Sequence, residues 1–198
     1  MPWAPDYITE ADLSTYKRIG DDIDDAQVAE AATDASRAID RHCNRQFGIV
    51  AAPEQRFYTA RWVGRRCLWV VDIDDLMTTV GLIVATAAGT ITEYDLEPRN
   101  ALAKGKPWTR IVIRKTNTIT IKGEDGEFQP TGKWGWTAIP VPVKLAAKLQ
   151  GSRFLSRRES PYGIAGSPQQ GSELRLLARV DPDVGVSLAD LVRPRRVG

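Results

Sequence analysis

Histidine is nearly missing from this chain: among 198 residues, His42 stands alone. A catalytic triad would have to use it as the base, with a nucleophile brought from afar. No second ligand stands near it at metal-binding spacing. A satisfied, partly buried histidine is the expected role. Cysteine is almost as scarce. Cys43 and Cys67 make no disulfide framework in a chain of this length, and both are expected to be small buried apolar residues. No apolar run approaches the roughly 20 residues of a membrane span. The first residues, Met1-Pro2-Trp3-Ala4-Pro5-Asp6, have neither the basic start nor the apolar stretch of a secretory leader, so a cytoplasm, or something assembled there, is the expected setting. Walker-type loops and dinucleotide fingerprints are missing too, as are helix-turn-helix, zinc-finger and RNA-recognition signatures. Two acidic groups, Asp72/Asp74/Asp75 and Asp21/Asp22/Asp24/Asp25, lack the spacing of an EF-hand and its glutamate at the twelfth position. The second group reads as helix capping. The residues therefore assign no catalytic, cofactor-binding or metal site, and the expectation is a non-enzyme without cofactors.

What remains is an ordinary globular composition, 42% hydrophobic and 26% charged, long enough for a substantial core. The net charge of +2 hides a polarity. Residues 1–46 carry five Lys/Arg against ten Asp/Glu, and residues 139–198 carry ten against five. Opposed ends suit subunits that meet head to tail, or rings that stack. Arg153, Arg157, Arg158, Arg175 and Arg179, with Arg193, Arg195 and Arg196 at the end, are cations of the kind that contact phosphate. A pI of 8.6 is low for a dedicated nucleic-acid-binding domain.

Four stretches follow. In residues 1–48, Thr9 with Asp12 predicts a helix start, and that short helix is expected to stop at Gly20. Asp22 to Asp25 predicts a second start. The long helix that follows is expected to reach Gln46, roughly 35 Å in all, with Gly48 as its cap. Val28, Ala32, Ala35, Ile39 and Cys43 recur at spacings of three and four and line one face. Residues 49–138 read as an antiparallel β module, with strands expected near 56–60, 67–71, 80–84, 90–94, 110–114 and 118–122. Trp134 and Trp136 are expected in its packing, pinning the module to the closing helix. Residues 139–180 hold that helix, begun at Pro140-Val141-Pro142. It carries Leu145, Leu149 and Phe154 and packs on the long helix. A loop over 159–171 and a short helix over 172–179 complete this stretch. Residues 181–198 mix apolar and basic residues as an extended C-terminal arm without a core of its own.

Five segments carry a resemblance. They are Tyr7-Ile8-Thr9-Glu10-Ala11-Asp12-Leu13, residues 35–48 with their arginine-rich run into Phe47-Gly48, Tyr94-Asp95-Leu96-Glu97-Pro98, Gly135-Trp136-Thr137-Ala138-Ile139-Pro140 and Arg157-Arg158-Glu159-Ser160-Pro161. In this order and spacing the chain resembles the head-to-tail adaptor (connector) proteins of long-tailed double-stranded DNA bacteriophages, above all those of phages infecting actinobacteria. The resemblance implies an α+β fold, a small helical bundle with an inserted β module. It implies a structural role in the virion at the capsid–tail junction, assembled in the host cytoplasm. The partners implied are the portal protein, the stopper or tail proteins, and further copies of the chain in a ring of about twelve. DNA only passes through the channel, and no membrane is involved. Portal docking is expected of Leu188, Leu191, Val192, Arg193, Arg195 and Arg196, whose apolar-plus-basic mix lies at a free end. A subunit or ring contact is expected of Arg157, Arg158, Ser160, Pro161, Tyr162 and Ile164, in a long loop. The alternatives are another tail-side component such as a tail terminator, and a nucleic-acid-binding protein.

Overall fold

The computed structural model describes residues 4–17, 24–159, 164–165, 174–175 and 182–194. The chain has an α+β fold and divides into two compact units. One holds residues 1–47 and 139–198, and the other is the stretch between them.

In the helical unit, α1 (Glu10–Lys17) begins with a reciprocal cap. Thr9 Oγ1 accepts from the Asp12 amide, and the Thr9 amide donates to Asp12 Oδ2, both at 3.1 Å. Each bond satisfies an amide that the first helical turn leaves free. In α2 (Asp25–Cys43), Asp24 caps the Ala26 amide. The predicted face is the buried one: Val28, Ala32, Ala35, Ile39 and Cys43 are all closed to solvent, joined by Ala31 and Ser36. The helix is shorter than its pattern predicted, 19 residues or about 28 Å. Asn44 ends it, at φ 52° with its amide turned back to the Asp40 carbonyl. Asn is one of the few residues that adopts this left-handed conformation readily. Gly48 is not the cap; it lies in the other unit.

The closing helix, α3 (Val141–Glu159), packs on α2 and α1. Its contact face is Val143, Ala146, Ala147 and Gln150, whereas the expected anchor Leu145 is 46% exposed. Small residues at this seam let the helices approach closely. At Gly151 a Cβ would meet the Leu13 side chain at 3.0 Å.

The C-terminal stretch departs from expectation. Pro182–Leu188 forms α4, packed on α3, and a 3-10 turn continues over Ala189–Leu191. The arm is thus helical here rather than extended. Val184 and Leu188, four residues apart, are 1% and 0% exposed and share the core of the helical unit. Of the expected helix over 172–179, only Leu174 and Arg175 are among the described residues, and they form a strand instead. Leu174–Arg175 pairs antiparallel with Ile164–Ala165, which lies inside the expected loop. Backbone groups spent on that ladder are not free to form a helix.

The β unit is built on four antiparallel strands in the order β2 (Ala60–Val63), β3 (Leu68–Leu76), β7 (Trp108–Ile113), β6 (Tyr94–Glu97). Two short ladders lie beside it: β1 (Glu54–Gln55) with β8 (Thr131–Gly132), and β4 (Ala85–Thr86) with β5 (Gly89–Thr90). Isolated bridges join Phe128 to Tyr58 and Thr86. The core holds Val71, Ile73, Leu76, Ile91, Ile111, Phe128, Trp134 and Trp136. Both indole donors are used inside this unit: Trp134 Nε1 donates to the Glu54 carbonyl and Trp136 Nε1 to Asp75 Oδ2, each at 2.8 Å.

Of the six expected strands, only those near 67–71 and 110–114 form as such; residues 57–59 and 91–93 lie between strands, with a single bridge at Tyr58, and two further spans are absent. Residues 80–84 form a turn and a bridge at Ile83. Residues 118–122 keep the alternation of a strand yet form none, although Ile121 is buried. At the end of this span the Lys122 amide, with those of Gly123 and Glu124 beyond it, donates to the Glu127 carboxylate, so there a side chain and not a neighbouring strand takes the backbone donors. Cys67 is a further correction. It is exposed, because the turn between β2 and β3 places it at φ 50° on the surface.

Candidate interaction surfaces

The residues expected to dock a portal separate into two groups. Leu188 is wholly buried and anchors α4. Leu191 and Arg193 are half-buried and Val192 is exposed. The backbone there is tied to the end of α2: the Arg193 amide donates to the Cys43 carbonyl at 2.8 Å, and Asn44 Nδ2 reaches the Arg193 carbonyl at 3.5 Å. Arg195 and Arg196 lie outside the described residues. What the structure brings together is therefore a short patch, 191–193, held against the α2 terminus.

Of the second set, Arg157 is half-buried on α3, beside a shallow cavity of about 410 Å³ that Glu30 and Asp34 of α2 also line. Ile164 sits in the two-residue ladder. Arg158 belongs to α3, with its side chain outside the described residues, as are Ser160, Pro161 and Tyr162.

The N-terminal strand of chain before α1 is clamped to α2. The Tyr7 hydroxyl donates to Asp40 Oδ1 and accepts from the Phe47 amide at 2.9 Å. Arg37 pairs with Asp40 at 3.0 Å and lies over the Tyr7 ring. Burial holds the Tyr7 hydroxyl and the Asp40 carboxyl above their ordinary ranges, and it pushes the Cys43 thiol to about 11.

In the β unit, the acidic cluster Asp72/Asp74/Asp75 is divided among separate partners. Asp72 meets Arg110 at 3.1 Å and Arg61 at 3.4 Å. Asp74 accepts from Arg56 at 2.7 Å and from the Tyr58 hydroxyl at 2.8 Å. Asp75 holds Trp136. Among the described residues, no group of His, Cys, Asp and Glu is arranged to hold a metal ion, and no helix is long and apolar enough to cross a membrane.

The four-stranded sheet has two unlike faces. Directly opposed residues share a face, so Trp62, Trp69, Ile113 and Tyr94 form one continuous row. Trp62 is 52% exposed and meets Trp69 edge-on, with ring centres 5.5 Å apart. A groove of about 550 Å³ opens here, with Ile119 and Ile121 along it. The other face carries ion pairs: Arg66 with Glu97 at 2.7 Å, Arg114 with Asp95 at 2.6 Å and Arg99 with Asp95 at 3.3 Å. The Arg114 bond holds the Asp95 carboxyl below the usual range, and the Arg66 bond does the same for Glu97.

No protein-family model matches this chain, and no curated protein does. The surfaces must therefore be read from their own chemistry. Sequence reasoning passed over the sheet edges, although a signal stood there. Residues 60–66 hold three arginines and no acid, and residues 93–97 hold three acids and no base. Only the strand order shows that these two segments are the two edges of one sheet.

Proposed function

We propose that this chain is a structural protein of a phage virion, forming the adaptor ring between the portal and the stopper or tail and extending the DNA channel. One observation carries the reading. A helical unit is built from both ends of the chain, with a β unit inserted between them, which is the layout that the adaptor resemblance implies. The opposed charge of the two ends supports it, since a closed ring needs one surface that fits a different one. The role is non-enzymatic: the ring holds partners and guides DNA. Portal docking falls to Leu191, Val192 and Arg193 with Arg195 and Arg196, while Leu188 secures the helix that presents them.

The test is co-sedimentation of the purified chain with portal rings of the same genome, read by negative-stain microscopy. The expected result is an added ring layer of fixed stoichiometry on the portal. Intact portals and folded chain that stay apart would exclude the adaptor role and shift the reading to a tail-side component.

A further inference from the structure

We propose that the copies of this chain join through the edges of their sheets, β6 of one copy pairing with β2 of the next. The inference rests on the ring reading and adds the joint that closes the ring.

Strands β2 and β6 are the two outer members of the four-stranded sheet, and among the described residues neither has a ladder partner on its outer side. An open edge presents unpaired amides and carbonyls and is a template for another strand. The β6 edge is four residues long, and β2 is open over Arg61–Val63; at Ala60 the edge is covered by Gly123 of the same chain. The sheet is antiparallel throughout with an even number of strands, so β2 and β6 run in opposite directions. A second copy, placed beside the first in the same orientation, therefore brings its β2 antiparallel to β6. The sheet continues without a break in its pattern, and each copy keeps one edge for the next. The contact is heterologous, the type that generates rings.

The register follows from the rows already present. Extending the row Trp62–Trp69–Ile113–Tyr94 by one strand sets Tyr94 beside Trp62 of the next copy. Asp95 then stands beside the next copy's Arg61. Aromatic meets aromatic on the apolar face, and carboxylate meets guanidinium on the charged face. A slip of one residue would turn every side chain to the wrong face. The ends agree in sign: the basic β2 hairpin, with Arg61, Arg65 and Arg66, meets the acidic β6 segment, with Glu93, Asp95 and Glu97. Arg61 is available for this exchange, because its side chain is 58% exposed and its bond to Asp72 is long. Two copies joined by the same edge would set like charges together, so head-to-tail order is enforced.

The experiment uses two full-length variants. One reverses the basic edge (Arg61→Glu with Arg65→Glu), and the other reverses the acidic edge (Glu93→Lys with Asp95→Lys). Oligomer mass is measured by sedimentation velocity, and ring formation on portals by negative stain, with circular dichroism as the check of folding. Each variant alone should lose self-association by about tenfold or more. An equimolar mixture should recover it, since every joint then has one basic and one acidic edge. Rings formed by either variant alone as by the wild type would overturn the edge joint and leave the ring reading standing. A folded pair of variants that stays apart when mixed would also overturn the joint. A wild-type chain that forms no ring, alone or on portals, would remove both. Should a variant fail to fold, a chain carrying Trp62→Cys, Tyr94→Cys and Cys67→Ser reads the register directly. Opposed strand positions lie within disulfide reach, so oxidation of assembled rings should give a ladder of linked copies. Assembled rings without a ladder would sink the joint.

Discussion

Single residues decide where this chain can and cannot change. Gly135 sits at φ 110°, and a Cβ there would lie 1.9 Å from the Gly48 carbonyl oxygen. That neighbour is backbone and cannot swing aside. Gly135→Ala should destabilise the β unit by about 3 kcal/mol or more, measured by thermal unfolding. Gly64 has nothing within 4 Å of the same added atom, so Gly64→Ala should stay within about 0.5 kcal/mol in the same assay. Asp12 offers a second test. Its hydrogen bond with Lys148, joined by those from Thr9, draws its carboxyl down to about 2. A lowered carboxyl pKa stabilises the fold above the ordinary carboxylate range, and that contribution is lost as pH falls from about 4 to about 2. Lys148→Ala should move the Asp12 midpoint upward in an NMR titration. Because Asp12 is exposed, the stability change at neutral pH should stay below about 1 kcal/mol. Residue-level features of this kind were partly legible. Thr9, Asp12 and Asp24 announce helix starts by chemistry alone. Asn44 and Cys67 were misjudged because their roles come from left-handed backbone, which a polar or thiol side chain permits but does not demand.

At the scale of elements, periodicity was informative wherever one face meets one core. The face of α2 followed from spacings of three and four. The alternation over 118–122 led to an absent strand, because alternation records which side is buried and not what bonds the backbone. At Lys122 the Glu127 carboxylate took the amide, and nothing local to 118–122 announces it. Helix α4 had its own signal, Val184, Leu188 and Leu191, but its position near the terminus argued against order. Its burial changes the docking test. Deleting residues 186–198 removes Leu188 from the core and so tests folding together with docking. Leu188→Ala should cost about 2–5 kcal/mol, measured by denaturant unfolding. Val192→Asp separates docking from folding: it should leave the unfolding midpoint within about 0.5 kcal/mol of wild type while reducing co-sedimentation with portal rings.

For the whole molecule, the layout of helices around an inserted β module was visible in the shift of pattern near residue 50 and again near Pro140. The candidate joint was not. Arginines at 60–66 and acids at 93–97 are ordinary in a linear reading, and they become complementary only once the strand order sets them on opposite edges. A joint of this chemistry is sensitive to salt, because its opposed charges lie at a solvated rim. Self-association should weaken several-fold between about 0.05 and 0.5 M sodium chloride, followed by sedimentation velocity, with the unfolding midpoint changing little over the same range.

The Trp136 amide donates to the Gly48 carbonyl, and the Val50 amide to the Trp134 carbonyl. The first and last residues of the β unit are thus stitched to each other, and the chain leaves that unit beside the point where it came in. An insertion closed in this way acts as a cassette. Its size and surface can drift, or a different β fold can replace it, while the host helices see the same two chain ends at the same separation.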